Sequence, residues 1–241
     1  MPTTEGECGF TIEPLGETLL ILHFGERIDI ALNARVHEAV ATLHAAALPG
    51  VVDLVPAYAT LGLVYEPMIW SQGDGPPWRN LAGAVRAVFA SPPGHALPAA
   101  AMIQIPVRYG GEDGPDLAAV AAHCGLAEAE VIARHTAAGY TVAMLGFAPG
   151  FPYLLGLDPA LHTPRRANPR TQVPRGSVAI GGAQTGVYPC ALPGGWQLIG
   201  RTPLTLFDSA RQPPCLCAPG DRVSFRAIGD EEFAELLRGS A

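Results

Sequence analysis

The sequence predicts an α+β protein in two parts, an alternating strand–helix domain over residues 1–92 and a small β-barrel over residues 99–241. Three observations predict it. Strand-like and helix-like patterns alternate through the first ninety residues. A Pro/Gly-rich break, SPPGHALP, occupies Ser91–Pro98, where regular structure is interrupted. Beyond Tyr140 helical periodicity disappears, and short apolar pieces between turn residues replace it.

In the first part, Thr18–Phe24 (TLLILHF) is a short apolar run that reads as a strand. Leu32, Val36, Val40, Leu43 and Ala47 recur at helical spacing, so Ala31–Ala47 is an amphipathic helix with Asp29 near its start and Pro49-Gly50 after its end. Val51–Val55 and Thr60–Tyr65 are β-branched runs separated by a turn. A second helix, Trp78–Ala90, follows the Gly/Pro cluster at 73–77. The order β-α-β-β-α is most of a ferredoxin-like unit.

In the second part, Ile103, Ile105, Val107 and Tyr109 alternate with polar residues and Pro106, giving a half-buried strand with an edge or bulge at the proline. Leu117, Val120, Ala121 and Cys124 make a short helix, with Asp116 placed to cap its start and Gly125 its end. Another short helix covers about Glu128–Ala137. The pieces TVAML, SVAI, WQLIG, LTLF and RVSFRAI then read as strands of a barrel or sandwich.

Composition removes several functions. All fifteen basic residues are Arg, so no lysine is present for a Schiff base, a carrier arm or a Walker A loop. No motif recognisably binds a cofactor. A net charge of −7 argues against a nucleic-acid surface, and no apolar run approaches a membrane span. The N-terminus lacks a secretory pattern, which makes the cytoplasm the expected location. Five cysteines, an odd number, predict reduced thiols, and Cys215-x-Cys217 lacks the partner pair of a zinc site.

Gly146–Phe207 stands out. It holds ten Gly, nine Pro and five Arg but a single carboxylate, Asp158. Arg165, Arg166, Arg170 and Arg175 alternate with Pro164, Pro169 and Pro174, which predicts a rigid extended loop. Such forks either pair with carboxylates of this chain or a partner, or meet a ligand carboxylate or phosphate; charge alone does not choose. The Gly-flanked aromatics favour a small-anion site, since Gly admits close approach and aromatic rings form a wall. The candidate ligand-binding residues are Phe147, Phe151, Tyr153, Arg165, Arg166, Arg170, Gln184, Tyr188, Gly194, Gly195, Trp196 and Arg201. No Ser/His/Asp elbow and no carboxylate pair accompanies them, so no catalytic residue is assigned. Asp208, Asp221 and His135 lie outside this set and read as structural.

The strings LGFAPGFPYLLGLD, TPRRANPR, VPRGSVAIGGAQTGVYP and PGGWQLIGRTPLTLFD resemble the B subunit of 5-oxoprolinase. That family also includes allophanate hydrolase subunit 1 and the kinase inhibitor KipI. The similarity runs nearly end to end, from PLGETLLILHFGERID to PGDRVSF. It implies a ferredoxin-like domain followed by a cyclophilin-like barrel, and partnership with the C subunit (allophanate hydrolase subunit 2-like) and the A subunit of that enzyme. It implies ATP-dependent opening of 5-oxo-L-proline to L-glutamate by the whole complex, with this chain inactive alone. The alternatives within the resemblance are a urea carboxylase or allophanate-pathway component, and a KipI-like inhibitor of a histidine kinase.

Overall fold

A computed structural model describes residues 9–90 and 100–239. The chain divides into two compact units, Met1–Ala99 and Ala100–Ala241. Cys8 and the Ser91–Pro98 break lie outside the described residues.

The first unit runs β1 (Thr11–Leu15), β2 (Leu19–His23), α1 (Ile30–Ala46), β3 (Val51–Pro56), β4 (Thr60–Tyr65) and α2 (Pro77–Phe89), with a 3₁₀ turn at Pro67–Trp70. Asp29 caps α1 as expected, accepting the N–H of Ala31 at 2.8 Å and of Leu32 at 3.0 Å. The sheet is antiparallel in the order β1-β2-β4-β3. This is the ferredoxin-like order with its outermost strand supplied from before the first βαβ crossover rather than after the second helix. Sequence reading missed that strand because TIEPL carries Glu13 and Pro14, and an edge strand tolerates both. Strand alternation turns Leu20, Leu22, Leu61 and Leu63 onto Val36, Leu81 and Val85 of the helices. Each leucine buried there contributes about 2 kcal/mol.

The second unit begins with β5 (Met102–Tyr109), α3 (Leu117–Cys124), α4 (Glu128–Ala137), β6 (Tyr140–Leu145) and β7 (Pro152–Leu155). It continues with β8 (Arg170–Val173), β9 (Ser177–Gly181), β10 (Gln184–Val187), β11 (Leu192–Gly194), β12 (Gln197–Arg201), β13 (Arg222–Ala227) and α5 (Asp230–Gly239). Seven strands close into a barrel in the order β10-β7-β6-β13-β5-β12-β9, while β8 and β11 form a separate ribbon. Pro106 falls where β5 is laddered to β13 but not to β12, which fits its missing N–H. Gly125 ends α3 in the left-handed region at φ 68°, donating its N–H to Ala121 and Ala122.

Two expectations are corrected. Asp116 precedes α3 but its side chain makes no capping bond, being engaged elsewhere. The LTLF segment is no strand; only Phe207 bridges, to Cys215, because Pro203 and Pro213-Pro214 hold the flanking chain in turns.

The barrel interior is filled, with Ile105, Val142, Leu154, Ile180, Ile199 and Phe225 among its buried side chains. His135 of α4 enters this core fully buried. Its Nδ1 lies 2.7 Å from the Tyr109 hydroxyl and its Nε2 3.0 Å from Thr185 Oγ1. Thr185 donates its own hydroxyl to the Ala179 carbonyl, so Nε2 carries the proton and Nδ1 accepts from Tyr109. The structure thus gives His135 a packing role. Asp221 ties the turn before β13, accepting from Ala218 N at 2.7 Å and Ala101 N at 3.0 Å. No helix of the described residues is long and apolar enough to cross a membrane.

Candidate functional site

The site starts from an exception to strand alternation. All five residues of β9 are buried, so both faces of this strand are covered. Val178 and Ile180 face the barrel core, whereas Ala179 belongs to a second cluster with Phe151, Val173, Tyr188, Trp196 and Leu198. That cluster sits outside the barrel wall, under Val173 of β8 and Leu192 of β11. The predicted aromatics therefore converge on the outer wall and not in the lumen.

Small residues on the outer wall make room for them. A Cβ on Gly186 would stand 3.1 Å from the Phe151 ring and 2.8 Å from the Pro152 carbonyl. One on Gly181 would come within 2.5 Å of the Trp196 ring, and one on Gly194 within 2.3 Å of the Tyr188 hydroxyl. These glycines thus seat the chain's own rings. Gln184, cross-strand from Gly181, shares this face and is buried.

The rings meet edge to face. Phe151 packs against Tyr188 at 5.2 Å and 90°, and against Trp196 at 5.7 Å and 85°. Tyr153 closes on Phe151 at 4.9 Å and on Trp196 at 5.9 Å. Phe147 rests on Phe151 at 5.5 Å, yet 62% of its surface is exposed. It occupies φ 67°, held by the Ala148 N–H bonded back to the Gly146 carbonyl at 2.7 Å. A phenylalanine at the centre of such a γ-turn is strained, and strain of this kind concentrates at working sites.

The arginines separate into different roles. Asp116, 4% exposed, accepts from Arg166 Nη1, from Arg170 Nη1 and Nη2, each at 2.8 Å, and from Leu198 N at 2.7 Å. Burial pushes its carboxyl upward, but the Arg170 hydrogen bonds, the Leu198 N–H and the two guanidinium charges hold it below its usual 3.8. The Arg166 N–H donates to the Gly195 carbonyl at 2.7 Å, and Gln197 Nε2 donates to Pro164 O at 2.9 Å, stapling the loop to the ribbon and β12. The anion that Arg166 and Arg170 meet is thus the chain's own Asp116. Arg201 lies apart, 3.7 Å from Asp113, which also receives Arg108 Nε at 2.7 Å. Arg165 is exposed, its guanidinium 5.8 Å above the Trp196 ring, and among the described residues it forms no ion pair.

Burial raises the hydroxyl pKa of Tyr153 and Tyr188, and the Arg165 charge opposes the rise at both. Sequence reading missed Asp116 as part of this assembly. It is fifty residues before Arg166, and an acidic residue ahead of an apolar helix carries the signature of a cap. No group of three or more His, Cys, Asp or Glu is placed to hold a metal ion among the described residues.

Residues 10–217 match the profile of the carboxyltransferase domain, subdomain C and D. The chain belongs to this family. The carboxyltransferase-domain chain is 41% identical over 228 residues to the 5-oxoprolinase B subunit of Bacillus subtilis (strain 168), covering 93% of this chain and 95% of that protein. It is 46% identical over 212 residues to the 5-oxoprolinase B subunit of Escherichia coli O157:H7, covering 88% and 93%. The resemblance read from the Gly/Arg/aromatic strings is borne out. Among solved structures, TTHA0988 superposes with a TM-score of 0.74 at 38% identity over 88% of this chain. The carboxyltransferase-domain chain spans only 40% of that longer protein.

Proposed function

We propose that the chain is the B subunit of an ATP-dependent 5-oxoprolinase, acting with its C and A subunits to open 5-oxo-L-proline to L-glutamate. The observation that carries this reading is near full-length similarity to relatives bearing the B-subunit name, spanning the aromatic and arginine assembly. In this reaction the lactam C–N bond breaks and water supplies the oxygen of the new carboxylate. The assembly offers the exposed ring of Phe147 and an exposed guanidinium, but no free acid–base pair among the described residues. Asp116 is committed to two arginines, and His135 is neutral inside the barrel. The chain therefore supplies part of a site that the C subunit completes, and is inactive by itself. A chain without lysine has no Walker A loop, so no P-loop of this chain binds the ATP of that reaction. An exposed arginine fork suits a carboxylate substrate such as 5-oxoproline better than neutral urea.

The test is reconstitution. The three subunits together release glutamate from 5-oxoproline with ATP, and omission of this chain abolishes release. Equal glutamate release with and without the chain refutes the reading.

A further inference from the structure

We infer that Arg165 is the specificity-determining cation of this site, selecting a ring-shaped ligand that bears a carboxylate. The inference rests on the proposed reaction for the ligand's identity, and on the geometry alone for its chemical class.

Elimination carries the first step. Four arginines crowd residues 165–175, and charge alone offers all of them to an anion. Arg166 and Arg170 have their N–H forks turned inward onto Asp116 through three hydrogen bonds of 2.8 Å, one carboxylate balancing one of the two charges. Arg175 is turned to the hydroxyl of Thr205, while its carbonyl accepts Arg201 Nε at 2.9 Å. Arg165 remains, exposed and without an ion-pair partner among the described residues.

Placement carries the second step. Arg165 neighbours Arg166, whose main-chain N–H and guanidinium are both anchored, so its Cα is fixed although its head is exposed. The guanidinium lies 5.8 Å from the centroid of the Trp196 ring, within cation–π range, an arrangement that leaves its N–H fork for a carboxylate. The rings beside it run from buried Trp196 through half-buried Tyr153 and buried Phe151 to the exposed ring of Phe147. A flat five-membered ring with one carboxylate matches that combination, whereas a neutral lactam satisfies only the aromatic part. Asp116 acts as a positioning residue, since it absorbs the two inner arginines and pins the loop that presents Arg165.

The test uses the three-subunit complex. Arg165→Gln raises KM for 5-oxoproline by about tenfold or more with a much smaller change in kcat, and Arg165→Lys recovers part of the loss. Cyclopentanecarboxylate inhibits the wild-type complex and loses inhibition in Arg165→Gln, while 2-pyrrolidinone, which lacks the carboxylate, inhibits both alike. An unchanged KM in Arg165→Gln overturns the inference and leaves the proposed reaction intact. If the wild-type complex releases no glutamate, the proposed reaction fails. Carboxylate binding is then followed through Trp196 emission in a Trp70→Phe/Trp78→Phe background. Binding that depends on Arg165 upholds the inference, and absent or Arg165-independent binding overturns it.

Discussion

Asp116 and Arg170 meet fork to fork, with Nη1–Oδ2 and Nη2–Oδ1 both at 2.8 Å, across fifty-four residues of sequence. The pair fixes the Arg-rich loop against the start of α3 and, through Leu198, against β12. Asp116→Asn removes the charge but keeps a carbonyl acceptor, leaving Arg166 and Arg170 uncompensated. Both arginines are partly exposed, so the expected loss is at the lower end for a broken buried pair, about 2–4 kcal/mol by urea denaturation.

The same pair has a pH signature. Asp116 has its carboxyl lowered from 3.8, so its stabilising charge is complete above that pH and is lost as pH falls through the lowered value. The stability gap between wild type and Asp116→Asn therefore holds steady from pH 7 to about 4 and narrows below it. A gap that widens on acidification contradicts the assignment.

Phe147 separates strain from function. Phe147→Gly relieves a positive φ worth about 1–3 kcal/mol and forfeits edge-to-face contacts of about 0.5–1.5 kcal/mol each. Melting is expected to show stability within about 1 kcal/mol of wild type, because these terms oppose. Glutamate release by the complex is expected to fall tenfold or more, since the exposed ring is lost. Full activity in this variant removes Phe147 from the site.

Much of this was legible because the deciding signals are local. Helical spacing located α1, α2 and α4 within a residue or two, and the Gly/Arg/aromatic strings located the outer cluster. What escaped depended on distant partners. Strand β1 is recognisable only by its pairing with β2, and β8 and β11 only by their pairing with each other. The division of labour among the arginines turns on Asp116, whose local sequence reads as a helix cap. The Gly-flanked aromatic strings mark close approach at Gly181 and Gly194, but only the folded chain reveals that the approaching groups are Trp196 and Tyr188, and that Gly186 seats Phe151 in the same way.

Gly181 and Gly182 then make a paired test. At Gly181 an added Cβ meets three atoms of the Trp196 ring at 2.5–2.6 Å, and that ring is already held by Phe151 and Tyr153. Gly181→Ala is expected to cost about 1–3 kcal/mol and to shift Trp196 emission to the red in the single-tryptophan background. Gly182 has open space, so Gly182→Ala carries only the strain of φ 67°, roughly 1 kcal/mol, and leaves the emission in place.

His135 links the barrel core to pH in the opposite chemical sense to Asp116 but with the same direction. Burial lowers its pKa from 6.5 to about 3, so the folded protein keeps the ring neutral while the unfolded chain protonates it. Between those values the unfolded state holds one more proton, and stability falls by about 1.4 kcal/mol for each unit of acidification. His135→Phe lies among Tyr140 and Phe225 and removes the titration, though it strands the Tyr109 hydroxyl and lowers the baseline. The slope is therefore the readout. Urea denaturation at pH 7.5, 6.5, 5.5 and 5.0 is expected to show a decline below pH 6.5 in wild type that is shallower in His135→Phe by about one proton. Parallel slopes in the two proteins mean that His135 is not held neutral in the fold.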